Sequence, residues 1–200
     1  MVHNQSKKSS GFPLPKIVSS PGSKITLGQN FTGLSRLVRD NVADVHANIQ
    51  QWNTLYHHGV QILNKIILSK VDETYPNELV SLCEDLEKIC DEMDTIVGNL
   101  RILADKMEKI SQLPDTDQIL FSTWHMKKFV SITNEIYNVH KKEATVKRII
   151  LENVAHEYTE SLKVLHIAAW LYQPFIPDNI NIDLETMLIE TKLRQLQGKT

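Results

Sequence analysis

Residues that break helices are scarce in this chain. It contains seven glycines and seven prolines among 200 residues, and three of each lie within the first 31. No apolar run approaches the roughly 18 residues of a membrane-spanning helix, and the N-terminus lacks the apolar core of a signal peptide. The sequence therefore predicts neither a membrane protein nor a secreted one, and its long section without breakers favours helices.

Motifs that carry chemistry are also missing. The sequence has no Gly-rich phosphate loop, no nucleophile elbow and no Cys-x-x-Cys pair. The eight histidines are scattered. His156-Glu157 with Glu160 could place a histidine and a carboxylate on one helical face, but two such groups at a spacing of four are more typical of polar neighbours than of metal ligands. We therefore predict no catalytic residues, no cofactor-binding residues and no metal site, and a protein that is not an enzyme.

The two cysteines, Cys83 and Cys90, do not form a disulfide with each other. They lie seven residues apart on one predicted helix, so about 10 Å apart along its axis. That separation exceeds the reach of a disulfide bond. We expect both thiols to be reduced and partly buried, as in an intracellular protein.

Charge is unevenly distributed along the chain. Residues 1–31 carry four lysines and no acidic residue, whereas the remainder carries 18 basic and 24 acidic residues. This Ser-, Gly- and Pro-rich segment buries too little apolar surface to offset the entropy of ordering, so we predict a disordered basic tail at 1–31 and one helical domain at 32–200. Such a tail is either solvated or an arm for nucleic acid or an acidic partner. Ser20, followed by Pro21, is a candidate phosphorylation site for proline-directed kinases.

Long hydrophobic seams dominate what the sequence does contain. Apolar residues alternate at spacings of three and four from Leu79 to Ile110, and a second seam of similar length runs from Val38 to Ile66. They predict helices at about 34–69 and 77–113, with Asn77 as N-cap of the second. The short link between them predicts antiparallel neighbours that cover each other's seams. Gly59 either admits a bulky residue from a facing helix or allows a bend.

A third helix is predicted at about 125–172, because no Gly or Pro interrupts this stretch, with Thr123 as its N-cap. Its apolar stripe is looser than the first two seams. His140, Glu143 and Asn153 interrupt it, so we expect this helix to cover the other two and to leave a face for something else.

A short amphipathic helix is predicted at about 184–196, with Asp183 as its cap. A helix of this length is marginal alone, so it has to dock on the bundle or on a partner. The predicted fold class is all-α: an elongated antiparallel three-helix bundle or coiled coil with a disordered N-terminal tail and a short C-terminal helix.

Three pairs of basic residues on the third helix are candidates for direct nucleic-acid binding. They are Lys127-Lys128, Lys141-Lys142 and Lys147-Arg148. Nucleic-acid binding would favour interleaved aromatic residues or a continuous basic stripe. The acidic second helix is the simpler partner, so the pattern argues against direct nucleic-acid binding.

The C-terminal third resembles a known family. The strings Trp170-Leu171-Tyr172-Gln173-Pro174-Phe175 and Leu184-Glu185-Thr186-Met187-Leu188-Ile189-Glu190-Thr191, with Phe121-x-x-Trp124, resemble the cyclin-dependent kinase 2-interacting protein (CINP) family. Asp40-Asn41-Val42-Ala43-Asp44 with Trp52 fits the same family, and the match covers roughly 36–193 in the same order. The resemblance also implies a break after His156 that is not obvious in this sequence.

The resemblance implies a non-enzymatic adaptor in the nucleus, with the cytoplasm as a second compartment. It implies links to the S-phase cyclin-dependent kinase, to the origin-firing kinase, and to ATR checkpoint signalling in DNA replication and repair. It further implies a subunit of a chromatin-associated AAA ATPase complex that acts in replisome maintenance and large ribosomal subunit maturation.

Six residues are candidates either for a partner surface or for a lock that holds the C-terminal helix on the bundle: Trp170, Gln173, Pro174, Phe175, Met187 and Leu188. Two other hypotheses stay open at this point. One is a helical protein that binds DNA or ribosomal RNA directly. The other is a self-associating structural coiled coil whose seams meet across chains.

Overall fold

The computed structural model describes residues 32–114, 116 and 118–194. Ser20 and the predicted tail at 1–31 lie outside the described residues. The all-α class is confirmed, since the described residues hold no strand and only one isolated bridge, between Ile119 and His125. The five helices are α1 (Gly33–Ser69), α2 (Asn77–Ser111), α3 (Met126–Val154), α4 (Glu160–Tyr172) and α5 (Asn179–Glu190).

Helices α1 and α2 cover each other's seams. All ten seam residues from Leu79 to Ile110 are buried within this single chain. The Asn41 side chain donates to the Leu103 carbonyl at 3.0 Å, and Asn99 donates to Asn48 at 3.2 Å. Because residues late in α2 meet residues early in α1, the two helices run antiparallel. The seams are satisfied internally, which removes the reason for them to pair across chains.

Helix α3 runs antiparallel to α2 and also touches α1. The Arg148 guanidinium pairs with Asp91 and with Asp94 of α2. Its Nε donates to the Asp94 carboxylate at 2.8 Å. The Trp52 and His140 rings meet edge to face with centroids 5.0 Å apart. The finer description as an elongated three-helix bundle or coiled coil stays a prediction.

The prediction of one helix from 125 to 172 is wrong. Helix α3 ends at Val154 and α4 begins at Glu160, so the chain breaks where the family resemblance implied a break. No Gly or Pro is needed, because tertiary contacts hold the connection. The Tyr75 hydroxyl lies 2.9 Å from His156 Nδ1, and the Tyr158 hydroxyl donates to Glu73 at 3.3 Å. Both bonds tie the break to the link between α1 and α2.

The predicted cap residues are also corrected. Helix α2 has Pro76 at its N-cap position, with Asn77 as its first residue, and α3 has His125 there instead of Thr123. Helix α5 begins at Asn179, five residues before the predicted start at 184, so Asp183 lies inside it. The early start buries Ile180 against the core, a contact that the sequence pattern from Leu184 onward did not include.

Helix α5 ends at Glu190, before the predicted 196, in a Schellman motif. The Leu193 N–H bonds to the Leu188 carbonyl at 2.9 Å, and the Lys192 N–H bonds to the Ile189 carbonyl at 3.0 Å. These bonds require a left-handed residue, and Lys192 has φ of 59°. Residues 195 and 196 lie outside the described part.

Lys192→Gly is expected to raise the free energy of unfolding by roughly 1 kcal/mol, because glycine adopts the left-handed conformation without the steric cost of a Cβ. Urea unfolding followed by circular dichroism measures the change. The matched control is Lys106→Gly on the exposed side of α2, which should lower the free energy by about 1 kcal/mol through helix propensity. Equal destabilisation by both changes would contradict the prediction.

Candidate functional site: the C-terminal corner

The C-terminal corner, residues 170–175, is where α4 ends and the chain turns toward α5. Trp170 is fully buried and lies over Gly59 of α1. A Cβ on Gly59 would lie only 2.1 Å from Cζ2 of the Trp170 ring, and the indole Nε1–H donates to the Tyr56 carbonyl at 3.2 Å. The prediction that Gly59 admits a bulky residue is therefore confirmed.

Gln173 ends α4 in a strained backbone conformation. Its φ and ψ are 42° and 64°, in the left-handed region that glycine usually occupies. A glutamine fits here because its side-chain Oε1 accepts a 2.9 Å hydrogen bond from Nε1 of the buried Trp52. That indole donor would otherwise be buried without a partner, at a cost of roughly 1–3 kcal/mol.

An ion pair lies buried beneath the corner. Lys147 Nζ and Glu143 Oε1 are 2.7 Å apart, and neither side chain is exposed to solvent. Lys147 also donates to the Trp170 carbonyl at 2.8 Å, and Glu143 Oε2 accepts the backbone N–H of Phe175 at 3.0 Å. Both charges thus hold backbone groups of the corner as well as each other.

Burial shifts the titration of two groups on this face of α3. Burial lowers the pKa of Lys147, and the Glu143 carboxylate opposes that shift. Burial lowers the pKa of His140 to about 4, although its hydrogen bond to the Ile136 carbonyl opposes the shift. Because the unfolded chain binds the His140 proton more readily, charging this ring destabilises the fold as the pH falls from 6.5 toward 4.

Two of the three interruptions in the α3 stripe do not leave the expected open face. His140 is buried against Trp52 of α1, and Glu143 is buried with its carboxylate on the chain's own C-terminal segment, whereas Asn153 is exposed. Glu143 and Lys147 were missed as site residues. The available signal was their opposite charge at a spacing of four, inside the stripe and in phase with its buried positions.

The six candidate residues fall into two groups. Trp170, Met187 and Leu188 are buried, and Gln173 is half-buried with its side chain on Trp52. Pro174 and Phe175 are exposed, the latter by 45%. The geometry therefore brings the first group into the fold, where it holds the segment, and leaves the second group at the surface.

A second cluster ties α5 to the loop before α3. The Glu190 carboxylate is buried and accepts the backbone N–H groups of Ser122, Thr123 and Trp124 at 2.6–2.9 Å. The Thr123 hydroxyl donates to it at 3.0 Å. Burial raises the pKa of Glu190, but the hydrogen bonds together outweigh that effect and its pKa is lowered. The predicted docking of the last helix on the bundle thus has a specific polar anchor.

Glu190→Gln is expected to lower the free energy of unfolding by about 2 kcal/mol at pH 7, because a charged acceptor of several N–H groups is replaced by a neutral amide. The folded pKa is depressed, so the contribution of Glu190 is complete above its ordinary value of 4.5 and is lost as the pH falls through the folded value. Urea unfolding at steps from neutral to acidic pH should show the difference from wild type shrinking below 4.5. The exposed Glu108→Gln should differ little from wild type at any pH, and a Glu190→Gln difference that is constant with pH would contradict the prediction.

The outward side of α4 is apolar. Val164, Leu165 and Tyr172 are exposed by 63%, 56% and 82%, and Leu171 by 41%. Val164 with Leu171 and Leu165 with Tyr172 are each seven residues apart, which places the four side chains on one side of the helix, opposite the buried Lys163 and Trp170. This exposed stripe begins at Val164, outside the corner, and continues into it at Leu171 and Tyr172.

The basic pairs on α3 are partly used inside the fold. Lys147 is buried in its ion pair, and Arg148 pairs with two aspartates of α2. Of the three pairs, only those at 127–128 and 141–142 are exposed. This arrangement shortens the basic stripe that direct nucleic-acid binding would need.

Membrane-spanning helices and metal-binding clusters are both absent from the described part of the chain. None of its helices is long and apolar enough to cross a membrane. Within the same residues, no three His, Cys, Asp or Glu side chains gather in a way that would hold a metal ion. Cys83 and Cys90 are both free thiols, as predicted, with Cys83 half-buried and Cys90 buried.

Comparison with known proteins connects most of the sequence to one group. The chain is 30% identical to a Xenopus laevis protein named cyclin-dependent kinase 2-interacting protein, over 88% of this chain and 98% of that protein. It is 28% and 29% identical to the Homo sapiens and Mus musculus proteins of the same name, over 81% of this chain and 91% of each. No protein-family model matches the chain. The similarity to the Xenopus laevis protein places this chain in the cyclin-dependent kinase 2-interacting protein family.

Proposed function

We propose that this protein is a non-enzymatic adaptor that binds cyclin-dependent kinase 2. The observation that carries the proposal is the match to nearly the full length of a relative named for interacting with that kinase. The relatives are named as interacting proteins, not as enzymes. A helical scaffold with an exposed apolar stripe is a suitable form for such a role.

We propose further that the adaptor acts in the nucleus, with the cytoplasm as a second compartment. There it would link the origin-firing kinase and the ATR checkpoint complex to DNA replication and repair. It would also serve as a subunit of an AAA ATPase complex in replisome maintenance and large ribosomal subunit maturation, and Ser20 would be phosphorylated. The support for these finer roles is the resemblance of the C-terminal strings.

The exposed members of the C-terminal corner are the proposed kinase contact. Within the string from Trp170 to Phe175, the tryptophan and Gln173 hold the fold, whereas Tyr172 and Phe175 project into solvent. Exposed aromatic side chains contribute little to folding, and aromatic residues are enriched at protein interfaces. The exposed stripe of α4 extends the same surface.

Size-exclusion chromatography of the purified chain with cyclin-dependent kinase 2 tests the proposal. We expect co-elution with wild type and a loss of binding with Tyr172→Ser/Phe175→Ser, which spares every buried contact described above. The matched control is Ile102→Ser/Ile149→Ser, because these two residues are also exposed apolar residues but lie outside the corner. Failure of the wild-type chain to bind the kinase would overturn the proposed function, and equal binding by both double variants would move the contact elsewhere.

A further inference from the structure

A groove lies between the first turns of α2 and the last turns of α3. Its volume is about 410 Å³. The apolar part is formed by Leu79, Val80 and Cys83 on α2, by Leu151 on α3 and Ala155 just after it, and by Tyr75 in the link before α2. Val80 and Tyr75 are each 56% exposed, so the apolar lining is open to solvent.

Three carboxylates border this apolar lining. Glu84 and Glu87 lie on the α2 side and Glu152 on the α3 side, and no basic residue is among the described residues that line the groove. None of the three forms an ion pair within the described part of the chain. Two bases on these helices form their ion pairs elsewhere: Lys88 pairs with Asp85, although it also attracts Glu84, and Arg148 pairs with two aspartates of α2. The lining of the groove therefore presents net negative charge on both of its sides.

We propose that this groove binds a basic amphipathic helix of a partner protein. Two antiparallel helices packed side by side leave a groove that accepts a third helix, whose apolar residues contact the lining at spacings of three and four. The lining on α2 extends over nine residues, from Leu79 to Glu87, whose rise along the helix is about 12 Å or two helical turns. Lysine or arginine residues on the flanks of the partner helix would meet the carboxylates and fix its register.

The charge pattern is what selects this occupant. An acidic helix would be repelled by the three carboxylates, because like charges would come close together. A neutral apolar helix would remove water from the carboxylates without offering them a positive charge. A basic helix gains attraction on both sides of the groove at once. The inference does not depend on the kinase contact, because the groove and the exposed residues of the corner share no residue.

A designed peptide tests the proposal with the full chain. The probe is a fluorescein-labelled synthetic helix with leucines on one face and lysines on both flanks, and its partner probe carries glutamates in place of the lysines. Fluorescence anisotropy should show saturable binding of the basic peptide that weakens with added salt, because screening reduces attraction between partly exposed charges. Glu84→Lys/Glu87→Lys should weaken it by about tenfold or more, and Val80→Asn should weaken it through the apolar lining.

The matched control is Asp105→Lys/Glu108→Lys, which changes the same net charge on exposed positions of the same helix, outside the groove. This variant should bind the basic peptide nearly as wild type does. No binding by wild type, equal weakening by the two double variants, or equal affinity for the glutamate peptide would overturn the proposal.

Sedimentation is the second measurement. If the wild-type chain is a dimer and Glu84→Lys/Glu87→Lys is a monomer, the groove binds a second copy of this chain and the proposal is overturned too. Kinase co-elution that survives in the groove variants would show that the two surfaces are separate.

Discussion

Lys147→Met is expected to lower the free energy of unfolding by about 3–5 kcal/mol, because it leaves the fully buried Glu143 carboxylate without its counter-charge. It also removes the donor to the Trp170 carbonyl. An isolated buried charge has no solvent to stabilise it, so the loss greatly exceeds that of a surface pair, whose typical worth is 0–1 kcal/mol. Urea unfolding at pH 7 measures the change.

The control variants separate charge from packing. Lys142→Met makes the same substitution at an exposed position of the same helix and should change the free energy by less than about 0.5 kcal/mol. Glu143→Met/Lys147→Met removes both charges and should be less destabilising than Lys147→Met alone. It will not restore wild-type stability, because the Phe175 N–H loses its acceptor. Glu143→Met alone completes the comparison. If the loss of unfolding free energy in the double variant equals the sum of the losses in Glu143→Met and Lys147→Met, the two charges are not coupled.

The two long seams explain how much of the fold was predictable. A stripe of apolar residues from Leu79 to Ile110 has to be covered, and a matching seam precedes it across a short link. The predicted ends of these two helices lie within about two residues of the observed bounds. The spacing of apolar residues shows which side of a helix is buried. For α1 and α2, burial of the two apolar seams is enough to predict that the helices pack on each other. The same reasoning identified Gly59 as a point of close approach, which depends only on an absent side chain in a buried seam.

The break at 155–159 was not predictable from periodicity, because it is held by contacts between residues more than 80 positions apart, such as Tyr75 with His156. Nor does a single sequence show that Glu143 and Lys147 would be buried together. In the sequence, Glu143 interrupts an apolar stripe and Lys147 resembles an exposed basic residue. Their burial as an ion pair depends on the C-terminal corner packing over them. String resemblance indicates the segment that holds the six candidate residues, but it does not separate the buried Trp170 from the exposed Phe175.

Gly59→Ala tests the fit between α1 and the corner. In a helix, alanine is favoured over glycine by about 1 kcal/mol, so an open site would gain stability. Here the new Cβ would lie 2.1 Å from a ring carbon of Trp170, which is rigid, buried and unable to yield. We therefore expect a net loss of about 1–3 kcal/mol from overpacking. The helical Gly98 has nothing within 4 Å of an added Cβ, so Gly98→Ala is the matched control and should be stabilising.

The sign of the Gly59→Ala effect should reverse when the indole is removed. Trp170→Ala alone is expected to cost about 3–5 kcal/mol through lost packing and the cavity that remains. In that background the clash is gone, so Gly59→Ala should become neutral or stabilising by up to about 1 kcal/mol. Urea unfolding of the four chains gives the coupling free energy between positions 59 and 170. Additive effects would mean that Trp170 does not occupy the space above Gly59, and the corner would then need a different anchor.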